Sequence, residues 1–144
     1  MNIIEYEHLT RILIASLIGL LIGTERAISN KPASFRTFAL VSTASCIFTI
    51  ISIKMSLLSK ITDPSRIAAQ IVSGVGFVGA GIIYKDNTAN SVEGITTAVM
   101  IWFTSALGMV CGFGDIILGL VCCLVYILIL IFGKVLHILL NGYK

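Results

Sequence analysis

Asp63 to Ile83 reads D-P-S-R-I-A-A-Q-I-V-S-G-V-G-F-V-G-A-G-I-I, which places an ionised start, a glutamine and four glycines on one segment of membrane length. Lipid requires none of these residues. Asp63 followed by Pro64 has the form of a helix start: the carboxylate accepts from the first free N–H groups, and proline takes the position where its missing donor does no harm. Beyond Arg66 no charge interrupts the chain until Lys85, and roughly 18 apolar or small residues suffice to cross a hydrocarbon core about 30 Å thick. The stretch predicts a membrane helix over 64–84 with Arg66 on its first turn.

Composition extends this reading to the whole chain. Of 144 residues 57% are hydrophobic and 12% charged, and the mean hydropathy is +1.02, far from the mix of a soluble domain. An all-α integral membrane protein is expected, one transmembrane domain over 1–144 with the lipid bilayer as its solvent. The net charge of +3 is thinly spread and forms no basic stripe able to neutralise several phosphates, which argues against nucleic acid as a partner. Cys46, Cys111, Cys122 and Cys123 lie inside apolar runs and read as small buried hydrophobes. Neither they nor His8 and His137 have metal-ligand spacing, and no cofactor is implied. Met1 to Thr10 carries Glu5 and Glu7 instead of a basic run, and no A-x-A site follows, so the first hydrophobic segment is expected to stay in the mature protein.

Charges divide the chain into five apolar segments, with helices expected near 6–26, 37–55, 64–84, 94–112 and 115–139. The uncharged core of the first, Ile12 to Thr24, fits a buried or interfacial helix as well as a spanning one; extended back through Tyr6 and forward through Arg26 it is long enough to span, with Arg11 snorkelling toward the headgroups. Five spans put the termini on opposite sides. With the N-terminus outside and the C-terminus cytoplasmic, Arg26, Lys31, Arg36, Lys85, Lys134 and Lys144 fall inside, and Arg11, Lys54, Lys60 and Arg66 outside, a small bias in the direction of the positive-inside rule. Short connections around Asn30, Lys31 and Pro32 and around Gly112 to Asp115 predict compact packing, with helices 4 and 5 as a tight antiparallel hairpin.

Helices embedded in lipid gain little from hydrophobic association, so close contact relies on small residues and on polar groups that bond across the interface. Ala15, Gly19 and Gly23 give the first helix two small-xxx-small steps on one face, a candidate surface for another helix. On the third, 100° per residue groups Arg66, Gln70, Ser73, Gly74, Phe77 and Gly81 on one side, while Gly76 and Gly79 look elsewhere. The G-x-G-x-x-G spacing of Gly74, Gly76 and Gly79 resembles a dinucleotide fingerprint, but no strand precedes it and the string lies within an apolar span; packing glycine is the reading. Thr97, Thr104, Ser105, Gly108 and Cys111 share a side of the fourth helix, with Thr96 at its start. Those hydroxyls either bond back to their own helix or join a polar interface.

Unpaired charge in hydrocarbon costs roughly 2.5 to 3.5 kcal/mol, so charges at span ends pair, line water or climb to the interface. Glu25 with Arg36, and Asp63 and Arg66 with Gln70, are the candidate polar clusters, on opposite membrane faces; Arg26, Lys31 and Lys60 fit interfacial anchors.

L-I-G-T-E-R at Leu21 to Arg26, F-R-T at Phe35 to Thr37, the Asp63 to Ile83 run, and G-I-T-T-A at Gly94 to Ala98 followed by Trp102 together resemble the MgtC/SapB membrane proteins, in order along nearly the whole chain. The resemblance implies a bacterial inner-membrane protein of about five spans with its N-terminus outside, linked to growth under low magnesium and, in pathogens, to survival inside host cells. It implies a regulatory rather than enzymatic role, with the ATP synthase and magnesium or phosphate uptake systems as membrane partners. Longer members carry a soluble C-terminal domain, whereas this sequence stops at Lys144, so the membrane portion is expected to be the working part.

Two functions compete at this point. One is a small regulatory subunit, a homodimer by expectation, that binds partner helices through Ala15, Gly19, Gly23, Gly76 and Gly79. The other is an oligomeric transporter or channel whose path is lined by Glu25, Arg36, Asp63, Arg66 and Gln70, with Thr96 and Thr97 as further polar candidates. Magnesium prefers carboxylates and retained waters, and a cation route would need Asp63, Asp86, Glu93 or Asp115 brought together at a mouth by oligomerisation; the arginines suit an anion better. An enzyme is not expected, since no nucleophile set or cofactor motif is present.

Overall fold

The computed structural model describes residues 3–29, 33–58, 63, 65–86 and 90–141. Pro64, the turn at Asn30, Lys31 and Pro32, and Lys60 and Lys144 lie outside them. Five helices follow one another: α1 (Ile3–Ile28), α2 (Phe35–Leu58), α3 (Ser65–Ala80), α4 (Ile95–Phe113) and α5 (Ile116–Asn141). Glu5 in the first turn of α1 and Arg26 in its last complement the helix dipole. At 1.5 Å per residue, α1 is about 39 Å long, α2 about 36 Å and α3 only about 24 Å.

The shortness of α3 corrects the expected helix over 64–84. After Ala80 the chain turns and forms a two-stranded antiparallel hairpin, β1 (Tyr84–Asp86) with β2 (Ser91–Glu93), in the register Tyr84 to Glu93, Lys85 to Val92 and Asp86 to Ser91. Gly81 weakens helix continuation, the following Ile82, Ile83 and Tyr84 favour extended backbone, and two left-handed residues, Asn90 (φ 48°) and Gly94 (φ 89°), return the chain to α4. At Gly94 a side chain would also collide with the Ile82 carbonyl, 2.2 Å from the site of a Cβ. Among the described residues three helices, α2, α4 and α5, are long and apolar enough to cross a membrane.

Helix α2 shows which solvent the fold is built for. It buries Ser42, Ser45, Thr49 and Ser52, and turns Leu40, Phe48, Ile51 and Met55 outward. An amphipathic helix in water does the reverse. On α5 the inversion is fuller: among its described side chains a stripe through Gly119, Cys123 and Tyr126 is buried, and most of the exposed positions are leucine, isoleucine, valine or phenylalanine. So much outward apolar surface suits lipid.

The packing is glycine against backbone. A Cβ on Gly19 would lie 2.6 Å from the Phe38 carbonyl, one on Gly23 2.4 Å from Phe35 Cα, one on Gly108 2.1 Å from the Ser42 carbonyl, and one on Gly112 2.5 Å from that of Cys46. These contacts fix direction: 19 faces 38 and 23 faces 35, so α1 and α2 are antiparallel, while 42 faces 108 and 46 faces 112, so α2 and α4 run parallel. Gly79 beside Ala98 makes α3 antiparallel to α4, and Gly119 beside Cys111, with Tyr126 donating to Met100 Sδ at 3.6 Å, makes α5 antiparallel to α4 as well. Successive helices thus alternate in direction, with α4 packed against each of the other four. The buried Phe38, Ile22, Ile101 and Leu107 fill the centre.

Two expectations change here. Gly112 belongs to α4, and the turn is confined to Gly114, left-handed at φ 100° with its N–H bonded to Val110 and Cys111 carbonyls, and Asp115, whose carboxylate accepts from Leu118 N–H at 3.0 Å. The turn is as tight as predicted, yet it does not bring close packing along all of α5. Arg11 does not simply climb to the headgroups: its Nη1 donates to the Gly112 carbonyl at 3.1 Å and its Nη2 pairs with Glu7 Oε1, so one guanidinium ties α1 to the electronegative end of α4.

Candidate functional site

Antiparallel order sends the start of α3 to the end of α2, and there a cavity of about 500 Å³ opens between Ser52, Met55, Asp63, Arg66 and Gln70. Asp63 Oδ1 accepts from Ser65 N–H at 2.8 Å and from Ser65 Oγ at 2.7 Å, so it caps α3 as its position in the sequence predicts. Those two bonds, with Arg66 nearby, hold its carboxyl below the usual range. Arg66 and Gln70, one turn apart, are both exposed and border the same opening. The sequence-predicted cluster of Asp63, Arg66 and Gln70 is assembled as a mouth that faces out of the bundle.

Deeper along the same groove, Gln70 and Gly74 of α3 and Val41, Ser45 and Phe48 of α2 line an apolar cavity of about 400 Å³. Much of α3 is uncovered by the described residues: a Cβ on Gly74, or on Gly76 at roughly the opposite side of the helix, would meet nothing within 4 Å among them, and Phe77 is 84% exposed. Only Ile71 and Gly79 of α3 are buried. The glycines expected to pack therefore divide. Gly19 and Gly23 are spent on α2 of the same chain and Ala15 is fully buried within it, which corrects their expected use by a partner helix; Gly79 packs on Ala98, Gly81 meets only carbonyls of its own turn, and Gly74 and Gly76 are open among the described residues.

At the other end the pairing differs from expectation. Glu25 Oε2 accepts from Arg26 Nε at 2.6 Å, and Oε1 lies 3.4 Å from Lys134 Nζ and accepts from Ser29 Oγ at 3.0 Å. Among the described residues Glu25 is thus held by Arg26 and Lys134, and Arg36 stands exposed at the start of α2. Lys134 was not legible as a partner because 109 positions separate it from Glu25 and only the fold of α5 along α1 joins them. Thr97 is buried on α4 with Thr96 exposed beside it. Both sit near Ala98, which faces Gly79, so the antiparallel pairing puts them at the far end of α3 from Arg66.

The same order separates the carboxylates. Asp63 and Asp115 lie at one end of the bundle and Asp86 and Glu93, on the hairpin, at the other, so one mouth cannot gather all four. Among the described residues no three His, Cys, Asp or Glu side chains converge as a metal site. Sequence reading also missed how the hydroxyls pair: Ser45 and Ser105 bond across α2 and α4 at 2.8 Å, Ser16 and Thr43 across α1 and α2 at 2.7 Å, and Ser42 Oγ is buried with no partner among the described residues. Thr49 and Thr104 bond back to their own helices. Cys46, Cys111 and Cys123 are buried free thiols.

An outside suited to lipid, a glycine and hydroxyl interior and charges kept to helix ends define an α-helical protein of the membrane type. The chain belongs to the MgtC family, whose model matches residues 12–139. It is 40% identical to protein SapB of Bacillus subtilis (strain 168) over 116 residues, 77% of this chain and 50% of that protein. It is 39% identical to protein MgtC of Salmonella typhimurium (strain LT2) over 114 residues, 79% of this chain and 47% of the relative, and 45% identical to protein MgtC of Brucella abortus (strain 2308) over 100 residues, 69% and 40%. The chain spans about half the length, or less, of these relatives. No solved structure matches it.

Proposed function

We propose that this chain is a multi-pass protein of the bacterial inner membrane, N-terminus outside and C-terminus cytoplasmic, acting as a small regulatory subunit in ion homeostasis under magnesium limitation through contacts between membrane helices. The supporting observation is the uncovered surface of α3. Gly74, on the Arg66 and Gln70 side, and Gly76, on roughly the opposite side, each leave backbone accessible on a helix that also carries exposed Arg66 and Gln70, a combination lipid does not call for and a second helix can use. The outer end is then the mouth of Asp63, Arg66 and Gln70, and the cytoplasmic end carries Glu25, Arg26, Lys85 and Lys134.

A homodimer through the α3 faces is the simplest closed assembly, with the ATP synthase or an ion uptake system as a further partner. Photo-crosslinking from position 74 or 76 in native membranes tests this: covalent partners are expected there and not from position 19, which faces α2. Absence of any adduct from 74 and 76 would refute the α3 face as the contact surface.

The mouth itself supports a second reading, an oligomeric transporter or channel for a small ion, with Arg66 favouring an anion over magnesium. Proteoliposomes of oriented, folded protein decide it: ion-dependent flux that falls in Arg66→Gln supports transport, and no flux of magnesium or of small anions eliminates it.

A further inference from the structure

The Glu25 cluster lies away from both the α3 surface and the Arg66 mouth, and its surroundings are specific. Two cations meet one carboxylate there, leaving a net positive charge at the end of two apolar helices. The cations are unequal: the Arg26 side chain is 9% exposed and fixed by Glu25, whereas that of Lys134 is 63% exposed at the rim. Below the rim the seam between α1 and α5 is apolar. A cavity of about 240 Å³ runs past Leu21, Ile22, Tyr126 and Ile127, and an open trough of about 450 Å³ passes Ile129, Gly133 and Ile138. Both contain Glu25, Leu130 and Lys134, so charged rim and apolar groove are continuous. Gly133 keeps the trough clear, since a Cβ there would meet nothing within 4 Å.

We propose that this seam binds one anionic phospholipid, with its phosphodiester on Lys134 and Arg26 and an acyl chain in the trough. Basic pockets between membrane helices attract anionic headgroups, and a phosphodiester with an aliphatic tail matches cations above a hydrocarbon groove. A free phosphate would need donors all round it, and beyond Arg26 and Lys134 the trough is lined by Ile129, Leu130, Gly133 and Ile138. A zwitterionic lipid brings its own cation into competition with Lys134. A lysine that merely snorkels would need neither a carboxylate holding it at 3.4 Å nor a cavity beneath it. The assignment rests on the membrane setting and is independent of any regulatory or transport role.

The test uses the full chain purified in neutral detergent, with retained lipid counted by native mass spectrometry after titration with phosphatidylglycerol, phosphatidylcholine or inorganic phosphate. One bound phosphatidylglycerol is expected, preferred about tenfold over phosphatidylcholine, the scale of one to two interfacial cations. Lys134→Ala, at an exposed side chain that folding does not need, should abolish the preference. Lys85→Ala, a cation on the hairpin at the same end, should preserve it, and Gly133→Trp should reduce retention of both lipids by filling the trough. Equal retention of the two lipids, preference surviving Lys134→Ala, loss in Lys85→Ala or unchanged retention in Gly133→Trp would each overturn the site. Displacement of phosphatidylglycerol by millimolar phosphate would overturn it in favour of a soluble anion.

Discussion

Gly108→Ala asks whether glycine contact really holds α2 to α4. The new Cβ would lie 2.1 Å from the Ser42 carbonyl oxygen, and ordinary contact begins at 3.4 Å, so the helices must part locally by roughly 1.3 Å. Backbone lies on both sides, so no rotamer change relieves the clash. A shift of that size stretches the Ser45–Ser105 bond from 2.8 Å to about 4 Å, beyond hydrogen-bonding range. Overpacking costs about 1–3 kcal/mol and a hydrogen bond between membrane helices about 0.6 kcal/mol, while alanine in place of helical glycine returns up to about 1 kcal/mol. Gly74→Ala provides the control, because it makes the same propensity change where a Cβ meets nothing. Subtracting one variant from the other removes propensity and leaves packing, so Gly74→Ala should exceed Gly108→Ala in stability by about 2–4 kcal/mol. Reversible unfolding in mixed micelles followed by circular dichroism measures this. Agreement of the two variants within about 0.5 kcal/mol would refute the contact.

Arg11→Gln should destabilise the fold by about 1–3 kcal/mol, because the Gly112 carbonyl loses a charged donor, and Arg11→Lys should recover little, since one ammonium cannot reproduce a guanidinium shared between Gly112 and Glu7; unfolding of both variants in micelles checks this. Gly94→Ala meets the Ile82 carbonyl at 2.2 Å and a backbone φ of 89°, so protease should cut the hairpin between Ile83 and Ile95 faster than in the parent chain, and equal rates would contradict the turn geometry. Asp63 binds its proton less tightly folded than unfolded, so its cap is present above the ordinary value of 3.8 and is lost as pH falls below it. Protection of the amides in the first turn of α3, taken relative to their intrinsic exchange, should fall on that acid side and stay constant there in Asp63→Asn.

Helices α1, α2, α4 and α5 were legible because long apolar runs between charges set their existence and approximate ends, and the Asp63 cap was legible because capping is local. The end of α3 was not, since the uncharged run through Gly81, Ile82 and Ile83 looks the same whether it continues a span or turns outward; the deciding features, the Gly94 contact with Ile82 and the pairing of Tyr84 with Glu93, join residues that are separated by a turn. Pairing across helices was hidden for the same reason. Glu25 found Lys134 instead of Arg36, and Ser45 found Ser105, through the fold of the whole bundle. The glycine faces were visible, but periodicity cannot tell a face that meets the same chain from one that does not: Gly19 and Gly74 read alike, and only the position of α2 separates them.

That separation bears on what α3 is for. Glycine in a helix interior costs about 0.5–1 kcal/mol relative to alanine, and at Gly19, Gly23, Gly108 and Gly112 the close backbone approach explains why it is used. At Gly74 and Gly76 nothing among the described residues uses the space. Arg66 and Gln70 likewise add polarity to a helix of which only Ile71 and Gly79 are fully buried. The helix with the most distinctive sequence thus supplies no residue to the central buried cluster, and Arg66, Gln70, Gly74 and Gly76 are all exposed. On the proposed function these residues serve a partner surface, and on the second reading a solute; adducts from positions 74 and 76 would support the first, and ion flux that falls in Arg66→Gln would support the second.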